Sequence, residues 1–126
     1  MGKTGWQRSL VVARPPYLPD RGDLAWINFE PQAGRGQAKN RPGLILTERN
    51  FNQATGLVIA CPVTRTERPY GSRVALAGTT TKGFVMVEQV KSVDWQARGA
   101  AFIEAAPLPV LNHVKQILAA ILDMAP

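Results

Sequence analysis

The chain has 126 residues, 45% of them hydrophobic, which suits one domain with a modest core and is too apolar for disorder. A formal net charge of +6, from fifteen Lys and Arg against nine acids, favours an anionic partner such as nucleic acid or an acidic protein segment. A single histidine (His113) and a single cysteine (Cys61) exclude an internal disulfide, a paired-histidine nuclease centre and a Cys/His metal cluster built by this chain alone.

Residues 1–21 read as an N-terminal arm, because Arg14-Pro15-Pro16 and Leu18-Pro19-Asp20 break helix and strand alike. Arg21-Gly22-Asp23 is a turn that launches a first strand over 24–29, rich in bulky and aromatic residues and ended by Pro31. Residues 32–40 hold two glycines and almost no bulky apolar side chain, and read as a flexible loop whose backbone N–H groups could meet an anion. Leu44-Ile45-Leu46 and residues 57–60 are short continuous apolar runs, the pattern of buried strands. A polar loop over 66–71 leads to a short strand over 72–76 and a turn over 78–83. Residues 84–93 form the longest strand expected, with Val87, Gln89 and Lys91 on one face, and 100–103 adds another. Behind Pro107 and Pro109, residues Leu111, Val114, Leu118, Ile121 and Leu122 recur at helical spacing and predict a C-terminal helix packed on the core. Short strands followed by one helix indicate a mainly β fold with α, a small barrel or sandwich, with 22–126 as a single domain.

Two residues stand out as candidates for phosphate chemistry. Arg41 opens one strand and Thr64 ends the next. Arginine presents a planar fork of donors matched to phosphate oxygens, and a threonine hydroxyl can serve a further oxygen. Pro42 biases Arg41 to an extended backbone and so fixes where its side chain leaves the loop. Each alone reads equally as an ordinary surface arginine or strand threonine. Trp26, Phe29 and Trp95 are open to base stacking or to core packing. Cys61, inside an apolar run, reads as a small hydrophobe, and no apolar run approaches a bilayer span, so no membrane association is expected.

The succession Gly22-Asp23-Leu24, Pro31, Gly34, Gln37-Ala38, Arg41-Pro42, Pro62-Val63-Thr64, Gly83, Glu88-Gln89-Val90-Lys91-Ser92 and Arg98-Gly99 resembles the MazF/PemK family of toxins from about Gly22 to Met124. The resemblance implies an SH3-like barrel of five to seven strands, a homodimer, and a sequence-specific, metal-independent endoribonuclease that needs no cofactor; the single cysteine, with no internal disulfide, reads as a reduced, cytoplasmic compartment. It implies single-stranded mRNA as substrate, 2′,3′-cyclic phosphate and 5′-hydroxyl ends, and a cognate antitoxin whose acidic C-terminal segment occupies the RNA groove. Carried over residue by residue, it implies catalytic roles for Arg41 and Thr64 and base recognition by Gln89 with Lys91 beside it. Phe29, Arg35, Gln37 and Lys39 complete the expected RNA contacts. Gly36 stands where the family commonly has a glutamate, and glycine can neither accept a 2′-hydroxyl proton nor hold Arg41 by a charge-assisted bond, so reduced activity is expected. Two other readings remain open: a toxin of the same fold that binds a protein such as gyrase, and a plain RNA-binding barrel.

Overall fold

The computed structural model describes residues 17–30, 40–68 and 71–124. The expected arm up to residue 16 and most of the expected loop, 31–39, lie outside the described residues. Seven strands are present among the described residues: β1 (Asp23–Asn28), β2 (Asn40–Ile45), β3 (Leu57–Thr64), β4 (Arg73–Ala75), β5 (Phe84–Met86), β6 (Lys91–Asp94) and β7 (Ala100–Ala105). Three α-helices accompany them: α1 (Arg49–Thr55), α2 (Trp95–Arg98) and α3 (Leu108–Ile121). The strands run β4-β5-β3-β2-β1-β7, every pairing antiparallel, with β6 also paired to β3. This is the mainly β barrel with a C-terminal helix that the sequence implied.

Strand β3 organises the sheet. Along one edge its first half pairs with β6 (Val58 opposite Val93) and its last residues pair with β5 (Val63 opposite Val85). Such a switch of partner needs a strongly coiled strand, and Ala60, Cys61, Pro62 and Val63 are accordingly all buried. Neighbouring residues therefore serve two cores. Leu24, Leu44, Val85 and Val87 join Val110, Leu111 and Val114 of α3 in one; Ala25, Ile27, Ile45, Val58 and Val93 form the other. Burial on both faces explains why these strands read as continuous apolar runs rather than alternating ones. The sheet's two ends are clasped by Glu104 on β7, whose carboxylate accepts bonds from the backbone N–H and hydroxyl of both Thr80 and Thr81 in the β4–β5 turn.

Four sequence expectations change. The strand expected over 84–93 is broken into β5, a 3-10 turn at Val87–Gln89 and β6. Val87 is fully buried while Glu88 and Gln89 are exposed, so Gln89 does not share a strand face with Val87. Helix α1 had no sequence signal: in Arg49–Thr55 only Asn52 is buried and no side chain caps the N-terminus. On α3 the core contacts come from the first half, and Ile121 and Leu122 are more than half exposed. Finally, residues 17–21 of the expected arm pack on the fold: Pro19 is fully buried, and the Tyr17 hydroxyl donates to Asp23 Oδ2 at 2.6 Å. Burial and that bond to Asp23 push the Tyr17 pKa well above its ordinary value.

Candidate active site

The β2–β3 register sets Gly43 opposite Pro62. The ladder ends there; Arg41 and Thr64 each lie two residues beyond that last pair, and both line one cleft of about 410 Å³ with Trp26, Asn40, Pro42 and Lys82. A second hollow, of about 350 Å³, continues from it and adds Glu30 to a rim shared through Asn40, Arg41, Thr64 and Arg65. Proline on both facing strands, Pro42 and Pro62, removes backbone donors here, and the strand ends part rather than zip. Arg41, Arg65 and Lys82 thus stand around one opening, a basic mouth suited to a phosphodiester.

Two glycines make the geometry possible. A Cβ at Gly83 would lie 2.5 Å from the Thr64 carbonyl oxygen, and its φ of +136° is disfavoured for other residues. Only glycine lets the β4–β5 turn close against Thr64 and bring Lys82 to the cleft. At Gly43 a Cβ would meet the Phe29 ring at 2.5 Å. The loop behind Thr64 is tied as well. Arg73 donates to the Thr66 carbonyl at 3.0 Å and forms a 3.0 Å ion pair with Glu88, which also accepts from Ser72. Desolvation raises the Glu88 pKa, but the bonds from Ser72 and Arg73 outweigh it and hold the carboxyl below its ordinary value.

The expected site residues divide. Arg41 and Thr64 come together. Phe29 does not belong to the cleft surface: it is 7% exposed, in the core and against Gly43, so it offers no face for stacking. Trp95 is likewise committed, its indole N–H donating to the Asn52 carbonyl at 3.0 Å. Of these three aromatics, Trp26, 46% exposed, is the one that lines the cleft. Gln89 and Lys91 are exposed but absent from the cleft lining. Arg35, Gly36, Gln37 and Lys39 lie outside the described residues. The sequence reading missed Asn40, Arg65, Lys82 and Glu30. Arg65 and Asn40 adjoin recognised residues, whereas Lys82 reaches the cleft only through a tertiary turn. Cys61 is buried, and desolvation pushes its thiol up to about 12, so it is no nucleophile.

The profile of the PemK-like, MazF-like toxins of type II toxin–antitoxin systems matches residues 20–122. The chain belongs to this family. It is 40% identical to the endoribonuclease toxin MazF of Escherichia coli (strain K12) over 84 residues, 67% of this chain and 76% of that protein. It is 34% identical to the Escherichia coli endoribonuclease PemK over 125 residues, 95% of this chain and 93% of that protein. Among solved structures, MazF (Form-I) from Deinococcus radiodurans superposes with a TM-score of 0.77 at 41% identity, covering 86% of this chain and 99% of that one. A MazE–MazF complex (Form-III) from the same organism gives 0.77 at 40% identity, covering 86% and 100%. Two family motifs have local structural reasons here. Gly22 bridges strand ends, its N–H donating to Ile45 and its carbonyl accepting from Ala106. Arg98 donates to the carbonyls of Asn28 and Glu30 and so fixes the exit of β1 toward the cleft.

Proposed function

We propose that this toxin is an endoribonuclease that cuts single-stranded mRNA through the substrate's own 2′-hydroxyl, leaving 2′,3′-cyclic phosphate and 5′-hydroxyl ends. The observation that carries the reading is the cleft lined by Arg41 and Thr64 together, with Arg65 and Lys82 beside them. Charge builds on the phosphoryl oxygens in the transition state; the Arg41 fork meets it, and Thr64 positions the phosphate. Trp26, exposed in the same cleft, offers a stacking face for a neighbouring base. The toxin works in the cytoplasm as a homodimer, and an acidic C-terminal segment of its cognate antitoxin competes for the same groove. Gly36, in place of the family's usual glutamate, lowers the rate rather than removing activity.

The test is incubation with a long RNA in EDTA, followed by analysis of the ends. Cyclic phosphate ends, and no cut where a 2′-deoxy nucleotide replaces the nucleotide 5′ of the scissile phosphate, are expected. RNA left intact, with or without added divalent metal, favours a toxin that binds its target without cutting it.

A further inference from the structure

On the nuclease reading above, we propose that Glu30 is the general base of the cleft. The chemistry needs an acceptor for the 2′-hydroxyl proton, and residues 31–39 contain no acid and no histidine to supply one. Among the described residues that line the two joined hollows, Glu30 is the only carboxylate. Glu88 is engaged with Ser72 and Arg73, and Glu104 with Thr80 and Thr81, while Glu67, two residues beyond Arg65, lines neither hollow. His113 lies exposed on α3 and lines neither hollow.

Glu30 is also held in place. Its backbone N–H donates to Asn28 Oδ1 at 2.9 Å, and its carbonyl accepts from the Arg98 guanidinium. Asn28 is 7% exposed, so this turn is anchored in the body of the fold. Fixing the backbone on both sides keeps Glu30 at the rim it shares with Arg41 and Thr64, within the preorganised position a proton acceptor needs. In the step itself, Glu30 takes the 2′-hydroxyl proton as the 2′-oxygen bonds to phosphorus. The P–O5′ bond breaks, and its electron pair stays on the 5′-oxygen. That oxygen takes a proton from solvent water, and the resulting hydroxide takes back the proton held by Glu30. The charged groups facing Glu30 among the described residues are Arg41 of β2, Arg65 beyond β3 and Arg98 of α2, all cationic.

The test is single-turnover cleavage of one RNA by the full chain in EDTA, from acid to neutral pH, for the parent, Glu30→Gln, Glu30→Asp and Arg41→Ala. Glu30→Gln should cleave about a hundredfold more slowly or worse. It should lose the parent's fall in rate toward acid pH, while its RNA affinity is unchanged or tighter because a negative charge has gone. Glu30→Asp keeps a carboxylate and should keep the acid fall at an intermediate rate, which also serves if Glu30→Gln fails to fold. If Glu30→Gln matches the parent while Arg41→Ala is dead, the nuclease reading stands and the base is not Glu30. If the parent cuts no RNA, both readings are overturned.

Discussion

Two polar regions of this small barrel are built in opposite ways. Asn52 on α1 is fully buried, and its side chain is saturated: it donates to the carbonyls of Pro19 (2.9 Å) and Thr47 (2.8 Å) and accepts from the Thr47 hydroxyl (2.6 Å). The Thr47 hydroxyl in turn accepts from Ile59, and the Asn52 carbonyl from Trp95, so one residue ties the arm, α1, β3 and α2 together. At the cleft, Arg41, Arg65 and Lys82 are exposed, and their side chains make no hydrogen bond or ion pair with any described residue. A buried polar group must find all its partners within the fold. A polar group kept in water retains its donors for a ligand, and three like charges around one opening lower stability slightly while favouring an anion. At Asn52 polarity is internal and saturated, and at the cleft it is exposed and open.

That contrast breaks most sharply at Arg41. Arg41→Ala should cost about 3–4 kcal/mol of transition-state stabilisation, the scale for losing one preorganised donor, with an unchanged thermal midpoint. Cleavage kinetics beside a melting curve checks both halves; a lowered midpoint would make Arg41 a structural residue. Asn52→Ala should do the reverse. Stranding the Thr47 hydroxyl and two carbonyls in the interior should cost roughly 2–3 kcal/mol in a urea melt, while cleavage measured well below the transition persists. Loss of cleavage in folded Asn52→Ala protein would join the two regions functionally.

The next effect is smaller. Gly36→Glu adds the carboxylate that the resemblance implies at this position, but with Glu30 already at the rim the gain should stay below about tenfold, short of the hundredfold typical of a sole general base. A hundredfold gain together with a neutral Glu30→Gln would return the base to position 36. The smallest effect concerns the Glu104 clasp. Side-chain and backbone bonds from Thr81, then Thr80, lower its pKa from 4.5 to about 2. A depressed carboxyl contributes stability that is full above 4.5 and is lost as pH falls toward 2. Thermal midpoints of parent and Glu104→Gln across that range should converge at the acid end; a constant gap would show that the carboxylate charge is irrelevant to the clasp.

The sequence alone determined the strands whose apolar runs are continuous and the helix behind Pro107 and Pro109, and it singled out Arg41 and Thr64, each within two residues of a strand proline. Those signals are local: periodicity, fixed proline φ and the absence of other chemistry-bearing side chains. The order of motifs further implied the family. The tertiary structure decided the rest, for reasons a linear pattern does not carry. Helix α1 is held by one buried asparagine rather than by an apolar stripe, so it left no periodic trace. The segment after Phe84 looks uniformly strand-like, yet β3 exchanges β5 for β6 as partner, and the chain turns at Val87–Gln89 to follow it. Phe29 and Trp26 are equally aromatic on paper, but the missing side chain of Gly43 leaves room for the Phe29 ring in the core, while Trp26 stays exposed in the cleft. Lys82 is eighteen residues from Thr64 and shares its cleft only because Gly83 has no side chain to hold the turn away. Glu30 is an ordinary surface acid until Asn28 and Arg98 fix its backbone at the rim beside Arg41.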